Sequence, residues 1–157
     1  MSAFLDRLRL EQVDWRAGRP VWLTAALLRY QSDRLGGRVI VIPAEFGTDL
    51  ASVPRLPIVW LATGGRGPRS AVLHDYPYQT GYWLLEDGGR LDVAKSLVDN
   101  IFHESLLADP MSGAGPVRAW EMWAGVRVNI NGGIWGDRDR AASLNPIWTR
   151  EGWPDAR

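Results

Sequence analysis

At 157 residues, 46% of them hydrophobic and 23% charged, the chain has the size and composition of one globular domain whose core needs no metal or disulfide to hold it. The 18 Lys and Arg residues balance the 18 Asp and Glu, and zero formal charge argues against nucleic-acid binding through a broad basic field, leaving only a local Arg patch. Cysteine is absent, which excludes disulfides, thiolate metal sites and a cysteine nucleophile.

The first third reads as strands. Leu8, Leu10 and Gln12 alternate with Arg9 and Glu11, and Ala17-Gly18-Arg19-Pro20 marks a turn. Val21 to Tyr30 is apolar and aromatic enough for one strand. Leu35-Gly36-Gly37 is a tight connection, and Val39-Ile40-Val41-Ile42 is a β-branched run that Pro43 ends. Together these predict an antiparallel hairpin or meander. The middle is punctuated by Pro54, Pro57, Gly64, Gly65, Gly67 and Pro68, with room for a short helix around Ile58–Ala62. Ser70 is placed to cap a helix through Ala71–Tyr76, which Pro77 ends or kinks because it has no N–H to donate.

The strongest helical periodicity runs from Leu91 to Leu107, with Val93, Leu97, Val98, Ile101 and Leu106 at the spacing of one face. Asp109-Pro110 and Ser112-Gly113 stop it, and another helix is expected over Val117–Val126. Strands first and helices later predict an α+β fold: a small antiparallel sheet of N-terminal strands packed with about three helices. That domain is expected to span residues 1–136. Residues 137–157 read as an irregular C-terminal arm with Trp148 beside Pro146 and Trp153 beside Pro154. The arm either wraps back on its own domain or docks on a partner with Trp148 and Trp153 as anchors.

Two groups of residues carry possible chemistry. Thr48-Asp49-Leu50-Ala51-Ser52-Val53-Pro54-Arg55 puts two hydroxyls, a carboxylate and a guanidinium into a short loop, although the same types also build Asx and Ser/Thr turns. His74-Asp75 is the second. Adjacent helical residues point about 100° apart, so each needs a partner from elsewhere, and Asp99 and Asp49 are the candidates. His103 lies one turn after Asp99. His74, Asp75, Asp99 and His103 together offer two nitrogens and two oxygens to a divalent metal, though such residues more often form structural hydrogen-bond networks. A Ser52–His74–Asp99 triad is conceivable, but Ser52 stands in no recognisable nucleophile turn. Tyr76, Tyr78, Tyr82 and Trp83 gather around Gly81, where core packing is favoured over a ligand groove.

These residues fall into three ordered motifs. The first is Ile42-Pro43-Ala44-Glu45-Phe46-Gly47-Thr48-Asp49-Leu50-Ala51-Ser52-Val53-Pro54-Arg55. Then come Ala71-Val72-Leu73-His74-Asp75-Tyr76-Pro77-Tyr78 and Val98-Asp99-Asn100-Ile101-Phe102. From Val21 to Trp135 the sequence resembles the phage-associated domain of unknown function 1353 family. Glu45 stands where that family's pattern has glycine, Pro77 interrupts the histidine helix, and the segment after Asp137 is extra. The resemblance implies residence in phage and prophage genomes near virion morphogenesis genes. It singles out Asp49, Ser52, Arg55, His74, Asp75, Tyr78 and Asp99.

The leading expectation is therefore a phage virion or tail-assembly component that binds other virion or tail proteins. The 9 Trp residues and the use of Arg over Lys, with Lys95 the single lysine, suit protein contacts. On that view no cofactor is needed. The alternative is a hydrolase of cell-wall peptide or amide bonds, with His74 as base or metal ligand, Asp99 as its orienter, Asp49 or Asp75 as a second ligand, Ser52 nearby and Arg55 binding the oxyanion or a substrate carboxylate. The N-terminus lacks a signal-peptide pattern, and no apolar run approaches the roughly 20 residues of a membrane span. The expected location is the virion, after assembly in the host cytoplasm.

Overall fold

The computed structural model describes residues 1–16, 19–48, 50 and 67–128. Within them are strands β1 (Ala3–Phe4), β2 (Leu10–Arg16), β3 (Arg19–Thr24), β4 (Leu28–Gln31), β5 (Val39–Ile42) and β6 (Gly47–Thr48). Helix α1 (Pro68–Thr80) follows, then β7 (Tyr82–Leu85), β8 (Arg90–Asp92), α2 (Lys95–Ala108) and α3 (Pro116–Val128). The strands form two antiparallel sheets, one in the order β1-β4-β5-β7-β8 and a smaller one in the order β2-β3-β6. The fold is α+β, with helices packed on a small sheet. The short helix expected around Ile58–Ala62 and the arm of residues 137–157 lie outside the described residues.

Three sequence expectations change. Val21–Tyr30 is not one strand but parts of two, β3 and β4, in different sheets. The break is held by Thr24, which is buried. Its hydroxyl donates to the Pro43 carbonyl at 2.8 Å and accepts the Phe46 N–H at 2.9 Å. A polar side chain buried with both roles filled fixes the bend where the chain changes sheets. Strands also do not all precede helices, since β7 and β8 follow α1. Finally, α2 begins at Lys95 rather than Leu91, because Arg90, Leu91 and Asp92 pair with Leu84, Trp83 and Tyr82. The tight Leu35-Gly36-Gly37 connection, the Val39–Ile42 strand and the final helix are as expected.

Glu45 has φ +63°, in the left-handed region that favours glycine. A glycine would adopt this conformation without strain, and here a glutamate adopts it instead. The Glu45 N–H bonds the Thr24 carbonyl at 2.7 Å, so the same crossing that bends β3 into β4 imposes the strained conformation.

The main core lies between the larger sheet and α1. Leu28, Tyr30, Ile40 and Ile42 pack with Val72, Leu73, Tyr76 and Trp83. A second cluster joins Phe102 and Leu106 of α2 to Ala119, Met122 and Val126 of α3. Helix α1 is enclosed on every side, with each residue from Ser70 to Thr80 buried.

Pro77 sits inside α1 and neither ends it nor costs it a satisfied carbonyl. A proline there cannot donate to the carbonyl four residues back, which is that of Leu73. The indole N–H of Trp83 donates to Leu73 O instead, at 3.2 Å. Trp83 is 0% exposed, so one side chain fills the core and replaces the missing helical bond. Replacing Trp83→Phe removes that donor along with ring volume. Urea unfolding is expected to show a loss of about 2–4 kcal/mol.

Candidate functional site

A helix buried all round must satisfy its polar side chains inside the protein. Helix α1 carries His74, Asp75 and Gln79, and its two sides solve the problem differently. On one side, His74 Nε2 meets Asp99 Oδ1 of α2 at 3.1 Å, and the Tyr78 hydroxyl donates to the same oxygen at 2.7 Å. His74 and Tyr78 are one turn apart, and their rings lie 4.1 Å centre to centre, with Phe102 packing on the imidazole at 4.8 Å. Lys95, one turn before Asp99, donates to Asp99 Oδ2 at 2.7 Å and to the Val126 carbonyl of α3 at 2.9 Å. One carboxylate thus gathers donors from α1 and α2, and its lysine reaches α3.

The other side of α1 holds β6. Thr48 donates its hydroxyl to Asp75 Oδ2 at 2.6 Å and accepts the Leu50 N–H at 3.0 Å, while Gln79 Nε2 donates to the Gly47 carbonyl at 3.3 Å. His74 and Asp75 diverge, as adjacent helical positions should. Of the four residues considered as metal ligands, His74 and Asp99 come together. Asp75 faces Thr48, and His103 packs against the Trp123 ring at 5.8 Å. Among the described residues no three His, Asp or Glu side chains form a group that could hold a metal ion. Asp49, Ser52, Arg55, Trp148 and Trp153 lie outside the described residues.

The network has a definite charge state. Burial pulls His74 below its ordinary value and Lys95 adds to this, while the hydrogen bond and charge of Asp99 act the other way. The ring is therefore neutral. A neutral imidazole facing a carboxylate through Nε2 carries its proton there, so Nε2–H is the donor. For Asp99, burial works to raise the carboxyl, and the hydrogen bonds from His74, Lys95 and Tyr78 outweigh it and hold it below its ordinary value. The Tyr78 hydroxyl is pushed up, first by burial and then by Asp99, so it stays protonated as a donor. The ion pair is Lys95⁺–Asp99⁻, and His74 is its neutral neighbour.

Chemically, a neutral histidine held by a carboxylate is the base-and-orienter half of a hydrolytic site. Its surroundings differ from those of a working base: His74 is 2% exposed and Asp99 0%. Sequence reasoning proposed the His74–Asp99 pair but missed Lys95 as its counter-charge and Thr48 as the partner of Asp75. The signal for Lys95 was available, since it is the single lysine and stands four residues before Asp99.

A family model described as "Protein of unknown function (DUF1353)" matches residues 22–126, more than half of the chain. No curated protein and no solved structure matches.

A histidine whose folded pKa is depressed favours folding above its unfolded pKa of about 6.5 and loses that contribution as pH falls toward the folded value. Stability is therefore expected to drop between pH 7 and pH 5, with a His74 share of at most about 1.4 kcal/mol per pH unit. His74→Gln should remove that share. The partly exposed His103 is also lowered, by burial and by Arg34, so His103→Gln serves as the parallel variant. Urea unfolding across that pH range checks it, and an unchanged slope in His74→Gln would contradict a neutral His74.

Proposed function

The chain belongs to the DUF1353 family, and on its motifs and its sealed polar network we propose that it is a structural component of a phage or prophage virion or tail assembly, acting through protein–protein contacts. The supporting observation is how the motif residues are used. His74, Tyr78, Asp99 and Lys95 face each other and join three helices, and Asp75 ties β6 to α1. Large apolar side chains are meanwhile left on the surface: Trp15 is 64% exposed, Trp120 57%, Val117 71% and Met111 74%. Aromatic and methionine side chains are the types enriched at protein interfaces. No helix among the described residues is long and apolar enough to cross a membrane.

The second reading is a hydrolase of cell-wall peptide or amide bonds, and one observation favours it. His74 is neutral and oriented by Asp99 at 3.1 Å, the pairing a general base requires. Ser52, Asp49 and Arg55 would have to supply nucleophile, second ligand and oxyanion donor, with or without a divalent metal.

The two readings separate on His74→Ala. The structural reading expects a loss of about 2–4 kcal/mol, since Asp99 and Tyr78 lose a buried partner. It also expects the wild-type chain at fixed stoichiometry in purified particles of a phage that encodes it, read by mass spectrometry. Absence from particles, together with peptidoglycan cleavage that His74→Ala abolishes at unchanged stability, would replace it with the hydrolase.

A further inference from the structure

A cleft of about 340 Å³ opens between the segment that joins β1 to β2 and the start of α1. Leu8, Leu10, Pro68 and Met111 make it apolar. Arg69 and Asp109 also line it, but their charges are spent on each other. Arg69 Nε donates to Asp109 Oδ2 at 3.1 Å, a second guanidinium nitrogen meets Oδ1, and Asp109 is 3% exposed. The rim is charged differently. Arg7 lines the cleft and Arg9 follows two positions on, both exposed and without an ion pair among the described residues. Asp6, adjacent in sequence, is taken by Arg29, and Glu11, the second residue of β2, like Arg9 does not itself line the cleft. The result is an apolar slot with one cation on its lining, Arg7, that has no ion pair among the described residues, and a second exposed arginine, Arg9, two residues along the same segment.

The backbone of the same segment is also open. No backbone hydrogen bond joins Arg7 or Leu8 to another described residue, whereas Leu5 and Arg9 on either side are bonded to Arg29 and Ala25. Side chains alternate along it, with Leu8 and Leu10 packed inward and Arg7 and Arg9 outward. An extended peptide laid beside such a segment gains main-chain bonds for affinity and pockets for alternate side chains.

We propose that this cleft is the docking site for an extended acidic peptide of a partner protein: an aliphatic or aromatic anchor in the slot, with Asp or Glu beside it facing Arg7 and Arg9. The mobile thioether of Met111 at the mouth adapts to the anchor. This rests on the reading of the chain as a protein-binding component and names the partner's chemistry.

The test selects random peptides of about twelve residues on the immobilised full-length chain, then measures the enriched peptides by fluorescence anisotropy. The expected family carries one large apolar residue flanked by Asp or Glu, and binds more weakly as salt rises. Met111→Asp and the double variant Arg7→Glu/Arg9→Glu should each weaken binding by about tenfold or more. The double variant should bind better when the peptide's acids are replaced by lysine. All three positions are exposed, and circular dichroism confirms that the variants fold. Failure to enrich any family, enrichment of basic peptides, or binding indifferent to both variants would overturn the proposal. So would displacement of the peptides by dodecanoate, which would make the slot a lipid site, or self-association of the chain that both variants abolish. None of these outcomes bears on particle content, so the proposal and the virion reading fail separately.

Discussion

The fold depends on where one negative charge is put. Asp99 is buried at the junction of the helices, and a carboxylate taken out of water without partners is among the costliest things a core can contain. Three donors meet it: the Lys95 ammonium, the Tyr78 hydroxyl and the His74 imidazole. Two come from α1, Lys95 comes from α2, and Lys95 extends the connection to the Val126 carbonyl of α3. The geometry that neutralises the charge is therefore the geometry that fixes the three helices. His74 and Tyr78 are buried with Asp99, and burial is the first cause of the lowered imidazole and the raised phenol.

Helix α1 shows how a polar sequence becomes a central helix. Two of its faces, about 100° apart, carry separate polar contacts, Asp99 for one and Thr48 with Gly47 for the other. The apolar positions between them reach the larger sheet. Pro77 would normally leave an unpaired carbonyl in such a helix, and Trp83 removes that cost from the neighbouring strand. The family's histidine motif is thus tied to β6 on one side, to α2 on the other, and through Leu73 to β7.

Much of this was legible in the residues. The α+β class followed from strand and helix periodicity, and the divergence of His74 and Asp75 followed from helical spacing. The His74–Asp99 pair was named from residue type and from its place in the motifs. What could not be read were consequences of distant contacts. Nothing local says that Thr24 is buried between Pro43 and Phe46, yet that contact splits one expected strand into two sheets. Nor does local pattern reveal that Leu91 pairs with Trp83 and so belongs to a strand, or that an indole repairs a helix past a proline. His103 has the correct spacing from Asp99 to share a ligand. Packing of α3 against α2 places it beside Trp123.

A sealed network is a poor place for a base and a good place for a lock, which favours architecture over catalysis for the described motif residues. The exposed tryptophans and the cleft beside Arg7 then become the surfaces where contact with other proteins is sought. The most direct measurement of the central claim is equilibrium urea unfolding of Asp99→Asn, with amide hydrogen exchange on the folded state. If the carboxylate is the lock, stability falls by about 3–5 kcal/mol and exchange quickens in α1, α2 and α3 together. A change within about 0.5 kcal/mol, with exchange unaltered in the three helices, would contradict it.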